Sequence, residues 1–349
     1  MRQLLSSGSL RWLGADLVSQ ETELITFRVG QYLPSLIAVL TDICQARTSS
    51  HEPCQLALLV TVRRADVEVH TELAGLRGRA RLKDDRGLET ADEGWAAAAA
   101  GYEEVHHVAS PMVQSDDPDE VIVPARDGTL RVLRAARDAG VRRVVLTSSF
   151  AAVGYSPKPG AEYTEADWTD PDTPGLPPYP RSKAIAERTA WDFIEREGGD
   201  TELVAVNPTF ILGPTLTTQA RSSLQLTKAM LDGTMPVVRR QRFGVADVRD
   251  VADLHIRAMA APEAAGQRYL ALADGPTISF LQMAQILRER LGPLAERVPT
   301  EEATGPEPPR LIIHNDRAKQ ELGWRPRPAE TTIVETAESL RDLGLLEKR

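Results

Sequence analysis

A doubly wound, mostly parallel α/β sheet with a smaller, mainly helical C-terminal lobe is predicted by three observations. Short strand patterns recur at 104–109, 143–149 and 203–206, the second an apolar run into hydroxyls and the third apolar throughout. Such runs, rather than alternating ones, belong to strands buried on both faces of a parallel sheet. Helical patterns at 120–139 and 179–197 separate them, giving the β-α-β-α-β order of a sheet built with crossovers. The 349 residues exceed one ordinary domain of about 100–200 residues, which leaves room for a second lobe.

The elements follow in order. The Ala run 96–100 reads as plain helix. Glu104-Val105-His106-His107-Val108-Ala109 reads as a strand that stops at Ser110-Pro111. The next helix, Glu120 to Ala139, carries Val123, Leu130, Val132, Leu133 and Ala136 on or near one face, with Gly140 where a C-cap belongs. Arg143 to Ser149 is an apolar strand running into hydroxyls, and the Pro-, Gly-, Asp- and Thr-rich 151–178 is a long loop. The 179–197 helix offers Ala184, Ala186, Ala190, Trp191, Phe193 and Ile194, and the strand Leu203 to Val206 ends at Asn207-Pro208. Beyond Pro214, helices are expected near 220–232, 250–261, 279–291 and 330–343, with a turn-rich stretch at 299–309. Residues 1–209 are therefore assigned to the sheet domain and 210–349 to the smaller lobe, with some return to the sheet domain near 244–262.

Composition narrows the function classes. Forty-one Lys and Arg against 50 Asp and Glu give a net charge of -9, which argues against a nucleic-acid partner. No run approaches the ~18 apolar residues of a membrane span. The start MRQLLSSGSLRWLGADL lacks the apolar core of a secretory signal, interrupted as it is by Arg11. Two cysteines, Cys44 and Cys54, make no disulfide framework and suit a reducing cytoplasm. With His51 between them their spacing is poor for zinc, and no metal is expected.

Ligands of doubly wound sheets bind beyond the carboxyl ends of the strands. Ser148, Ser149 and the turns Ser110-Pro111 and Asn207-Pro208 all fall at such ends. Tyr179 and Lys183, four residues apart on a helix, share a face. A free phenol titrates near ~10, and a neighbouring ammonium is expected to lower that value. Tyr179 could then exchange a proton with a substrate hydroxyl or carbonyl oxygen. Lys183 could also hydrogen-bond the ribose of a nicotinamide cofactor, and Ser149 could hold the same substrate oxygen. Tyr-x-x-x-Lys alone is common by chance; what selects it is its place at the start of the helix that follows the Thr147-Ser148-Ser149 strand end. Plainer roles are expected elsewhere. Asp250 is expected to cap the helix after it. Trp324 is expected to anchor the small lobe, and His106 and His107 to be structural histidines pointing to opposite faces.

The segments His107-Val108-Ala109-Ser110-Pro111, Leu146-Thr147-Ser148-Ser149, Tyr179 through Lys183 with Ala186-Glu187, and Asn207 through Pro214 resemble the extended short-chain dehydrogenase/reductase (NAD-dependent epimerase/dehydratase) family. Val248-Arg249-Asp250-Val251-Ala252 and Leu322-Gly323-Trp324 fit as well, so the likeness runs from about 88 to 345. It is nearest to the dihydroflavonol 4-reductase-like branch. The resemblance implies a Rossmann-type cofactor domain, a nicotinamide cofactor, a small-molecule carbonyl or alcohol substrate, and a catalytic set of Ser149, Tyr179 and Lys183. It also implies that Ala109, Ser110, Pro111, Ser148, Pro208 and Thr209 lie beside the cofactor with Tyr179 and Lys183. A helix-pair homodimer would be in keeping with the family.

Three features depart from the family pattern. In place of its Thr-Gly-x-x-Gly-x-x-Gly loop, Gly8 and Gly14 match the outer glycines and Arg11 stands at the middle one. That glycine lets the backbone approach the pyrophosphate, so Arg11 would either block the phosphates or swing outward and add a positive charge. The element that reads the adenosine ribose belongs about twenty residues after the loop. Its best match, Val60-Thr61-Val62-Arg63-Arg64, places Arg63 49 positions after Gly14. The surplus falls in 19–57, an insertion or an altered segment. The family's Asp-Leu pair near the adenine falls at Leu88-Glu89, where Glu89 could substitute. Arg63 and Arg64 suit a 2′-phosphate, so NADP(H) is favoured over NAD(H).

The leading functional expectation is an NADP(H)-dependent carbonyl reductase or alcohol dehydrogenase. A sugar-nucleotide epimerase or dehydratase, or a sterol-type dehydrogenase, would use the same three residues. Arg11 and the surplus segment prompt a third reading, a non-catalytic member with impaired cofactor binding.

Overall fold

A computed structural model of the protein describes residues 57–59, 69–70, 79–80, 94–110, 115, 117–215 and 222–346. All of these belong to one compact unit. The segment 19–57 up to Gln55-Leu56, and with it Cys44 and Cys54, lies outside the described residues, as do Gly8, Arg11, Gly14, Arg63, Arg64, Glu89 and Pro111.

The first elements are β1 (Ala57–Leu59), β2 (Val69–His70), β3 (Arg79–Ala80), α1 (Trp95–Ala99), β4 (Glu104–His107), α2 (Pro118–Asp138) and β5 (Arg143–Thr147). After β6 (Glu162–Tyr163) come α3 (Pro178–Glu197), β7 (Glu202–Pro208), β8 (Phe210–Leu212) and α4 (Ser223–Asp232). The chain continues through β9 (Arg242–Phe243), β10 (Val245–Asp247), α5 (Val248–Ala260), β11 (Arg268–Ala271), β12 (Ile278–Ser279) and α6 (Phe280–Leu291). It closes with β13 (Ile312–Ile313), α7 (Asp316–Leu322) and α8 (Ala329–Asp342).

Among the described residues, five strands form the main sheet in the order β1-β4-β5-β7-β11. Every neighbouring pair is parallel, with Val144 of β5 set between Val105 of β4 and Leu203 of β7. The crossovers through α2 and α3 are those the apolar runs required. Successive side chains of a strand point to opposite faces. Val144 accordingly packs with Leu133, Ala136, Ala190 and Phe193 beneath α2 and α3. Val145 packs with Leu254, Ala258 and Tyr269 beneath α5. A separate core joins α4, α6 and α8 through Met230, Phe280, Met283, Leu287, Ile333 and Leu340.

The helix ends follow local chemistry. Asp117 caps α2 by accepting from the Asp119 amide at 3.0 Å. At the other end Gly140 takes a left-handed φ of 74°. Its amide bonds Arg137 O at 3.0 Å and the Val141 amide bonds Ala136 O at 2.9 Å, the paired closure that a residue without Cβ permits. Ser279 and Gln282 form a reciprocal capping box on α6.

Two expectations are corrected here. The cap of α5 is Asp247, whose carboxylate accepts from the Arg249 amide at 2.9 Å. Asp250 sits inside the helix and instead accepts from the Arg327 backbone amide at 2.6 Å and from its guanidinium. Helix α5 begins three residues earlier than Asp250 would allow as a cap, because β10 runs directly into it. Trp324 does not anchor the smaller core. It is 1 % exposed and packs among α5 and the main sheet, with its indole N–H on Asp250 O at 2.9 Å.

One buried charge ties α5 to the sheet. Arg143, 1 % exposed, donates to the carbonyls of Ala258 and Met259 at 3.0 Å each, and to Ala261. Those are among the last carbonyls of α5, which have no partner within the helix and attract a cation. Its Nε pairs with Glu202 at 2.7 Å.

Candidate active site

The carboxyl ends of β4, β5 and β7 carry the residues in question. Beyond β4 the chain turns through Ala109 and Ser110; beyond β5 it turns through Ser148 and Ser149; β7 ends in Asn207-Pro208, followed by Thr209. Helix α3 begins with Pro178, whose fixed φ and missing amide hydrogen suit a first helical position. Tyr179 therefore lies in the first turn and Lys183 one turn later on the same face.

These side chains meet. Ser149 is extended, at φ -162° and ψ 152°, and its Oγ accepts from the Ala151 amide at 3.1 Å, starting the tight turn Phe150–Ala152. Its hydroxyl hydrogen remains available to donate, and Ser149 lies close enough to the Tyr179 phenol to pull its pKa downward. The Lys183 Nζ lies 5.8 Å from the centre of the Tyr179 ring and donates to Ser110 Oγ at 2.7 Å. Ser149, Tyr179, Lys183 and Ser110 are thus one constellation.

The expected lowering of the Tyr179 pKa is not what the geometry produces. Burial pushes the phenol above its ordinary value, and Ser149 pulls the other way without reversing the shift. Tyr179 is consequently protonated across the neutral range, the state of a proton donor rather than a base.

Around this centre Phe150 makes an aromatic wall with Tyr155 at 6.2 Å and, edge-on, with Tyr163 at 5.7 Å. Tyr155 is 41 % exposed and close enough to Tyr179 for the two phenols to influence each other. Tyr155 had no signal in the sequence beyond being an aromatic in a long loop. A second aromatic group, Phe210, Phe243 and Phe280, lies at 4.5 to 5.7 Å spacing where the smaller core meets the end of β7.

The histidines behave as structural residues on opposite faces, as expected. His106 faces His255 across 6.1 Å, and burial lowers its pKa to about 3. His107 lies on the Lys183 side and is lowered to about 4, again mainly by burial. His255 is also lowered to about 4; its Nδ1 donates to Val251 O and its Nε2 accepts from Thr147 Oγ1, both at 2.7 Å, which fixes a neutral tautomer.

Residues 86–271 match the NAD dependent epimerase/dehydratase family. The chain belongs to that family. Among its NAD-dependent epimerase/dehydratase relatives, cinnamoyl-CoA reductase 1 of Arabidopsis thaliana is 32% identical over 303 residues, covering 82% of each chain. An anthocyanidin reductase of Vitis vinifera is 32% identical over 287 residues, covering 77% of this chain and 81% of its own. The yeast methylglyoxal/isovaleraldehyde reductase solved in complex with NADPH superposes with a TM-score of 0.61 at 26% identity, over 74% of this chain and 82% of its own. Vestitone reductase from alfalfa shares the fold, with a TM-score of 0.61 at 23% identity over 74% of this chain and 82% of its own. Among the described residues, no helix is long and apolar enough to cross a membrane.

Proposed function

We propose that the chain is an NADP(H)-dependent reductase of small-molecule carbonyl compounds, with Ser149, Tyr179 and Lys183 as its catalytic residues. The observation that carries this reading is the meeting of those three side chains at the strand ends, with Lys183 donating to Ser110 Oγ at 2.7 Å. That donor set fits the riboside of a nicotinamide: an ammonium and a hydroxyl side by side for the ribose oxygens, next to a phenol and a serine. Ala109, Ser110, Ser148, Pro208 and Thr209 border the same place, with residues 1–209 as the cofactor domain and 210–349 as the substrate lobe. When bound, the reduced nicotinamide supplies a hydride to the carbonyl carbon.

The residues then divide the remaining work. Ser149 donates a hydrogen bond to the carbonyl oxygen, holding it beside Tyr179. Tyr179, protonated at neutral pH, passes its proton to that oxygen as the alcohol forms, and regains one from solvent. The Lys183 ammonium stabilises the phenolate left behind. Arg63 and Arg64 are assigned to a 2′-phosphate, which makes NADPH the preferred reductant.

The test is cofactor oxidation with isovaleraldehyde and cinnamoyl-CoA as substrates, the two carbonyl types that the relatives' names offer, comparing NADPH with NADH. Wild-type chain is expected to consume NADPH. Tyr179→Phe is expected to lose about 10²–10⁴-fold in kcat while retaining NADPH binding. Undiminished turnover by Tyr179→Phe would reject the assignment. Conversion of a sugar nucleotide without net NADPH loss would replace the reductase with an epimerase.

A further inference from the structure

Glu187 lies one turn after Lys183 and two turns after Tyr179 on α3, and its side chain is fully buried. An ionised carboxylate buried without partners is prohibitively unfavourable, so its partners matter. It has four. Ser148 Oγ donates to Oε2 at 2.5 Å and Asn207 Nδ2 donates to Oε2 at 2.7 Å. Arg268 Nε donates to Oε1 at 2.7 Å and Trp191 Nε1 at 3.2 Å. These fill the roughly four lone-pair sites that a carboxylate offers. The buried Arg268 guanidinium balances the charge and is itself held by the carbonyls of Glu165 and Asp167, at 2.7 Å each.

The two oxygens face different tasks. Oε1 looks toward Arg268 and Trp191. Oε2 looks toward the ends of β5 and β7, and there Asn207 uses its amide a second time, donating from Nδ2 to Ser149 O at 3.1 Å. The path is short and continuous: Glu187 fixes the Asn207 amide, the amide fixes the Ser149 carbonyl, and the Ser149 backbone aims its Oγ at Tyr179. The same Ser149 carbonyl accepts from the Ala152 amide at 2.9 Å, so the amide also anchors the turn after it.

We propose that Glu187 is a positioning residue that, through Asn207, fixes the backbone of Ser149 so that its hydroxyl meets both Tyr179 and the substrate oxygen. The assignment rests on the reductase reading above. A carboxamide at 187 would turn one acceptor into a donor facing donors, and so cannot satisfy the set.

The test uses three variants of the full chain. Glu187→Gln and Asn207→Leu cut the path; Trp191→Phe removes a donor from the same carboxylate on its other side. With NADPH and the carbonyl substrate, the first two are expected to lose about 10- to 100-fold in kcat. Their KM for NADPH should stay within about threefold, and the alkaline limb of their kcat–pH profile should move upward as the pull of Ser149 on Tyr179 weakens. Trp191→Phe should keep kcat within about twofold even if its Tm falls. A second measurement needs no cofactor: amide hydrogen exchange over 150–154 should quicken in Glu187→Gln and Asn207→Leu and stay unchanged in Trp191→Phe. Should Glu187→Gln not fold, Asn207→Leu decides. Wild-type kcat and pH profile in Asn207→Leu, or an equal loss in Trp191→Phe, would overturn the proposal. Were the wild-type chain to reduce no carbonyl, the reductase reading would fall, and slow exchange in Asn207→Leu would separately overturn the path from Glu187 to Ser149.

Discussion

Lowering the pH from 7 to 5 is expected to destabilise the fold steeply, through three histidines. His106, His107 and His255 are buried, and their pKa values fall to about 3, 4 and 4. In the unfolded chain each returns to about 6.5. Below that value the unfolded chain takes up three protons that the fold refuses, so stability falls as pH falls and goes on falling until the folded values are reached. Each proton costs about 1.4 kcal/mol per pH unit. Between pH 6.5 and 5 that is about 2 kcal/mol per histidine and about 6 kcal/mol for the three, comparable to the whole stability of an ordinary domain, about 5–15 kcal/mol. Urea unfolding at pH 7, 6 and 5 measures the slope. His106→Leu, which removes one of the three and a buried Nδ1 with no hydrogen-bond partner, should shallow the slope by one proton. A stability that is level from pH 7 to 5, or a His106→Leu slope equal to that of the wild type, would refute the reasoning.

Two further outcomes follow from the packing. Arg143→Met should lower stability by about 3 kcal/mol in denaturant melts, because the carbonyls at the end of α5 lose a buried donor and Glu202 keeps only its longer pairing with Arg142. Ser279→Ala should cost about 1 kcal/mol by dissolving the capping box of α6, with no change in cofactor oxidation, since Ser279 belongs to the smaller core's edge.

Much of the fold was legible because its signals are local. The segments at 104–109, 143–149 and 203–206, the last two with the continuous apolar centres Val144-Val145-Leu146 and Leu203-Val204-Ala205-Val206, carry the pattern of strands buried in a parallel sheet. The structure trims them to Glu104–His107 and Arg143–Thr147 and lengthens the third to Glu202–Pro208. Helix α3 was readable from its apolar positions, and the pairing of Tyr179 with Lys183 from a four-residue spacing at the start of the helix that follows the Thr147-Ser148-Ser149 strand end. The cap of α5 was misread because Asp247 and Asp250 are equally good capping residues in sequence. Only the end of β10 chooses between them.

The sequence by itself determined the layered α/β architecture, the β-α-β-α-β succession from 104 to 208, and which hydroxyl, phenol and ammonium groups stand at strand and helix ends. Those properties depend on neighbours three or four residues away. Only the tertiary structure decided that the Tyr179 pKa is raised rather than lowered, because burial by residues distant in the chain outweighs the pull of Ser149. It likewise decided that Trp324 seals α5 against the sheet, and that Glu187 gathers Ser148, Trp191, Asn207 and Arg268 around one carboxylate. Desolvation and long-range hydrogen bonds are set by packing between segments, and no spacing within one segment encodes them.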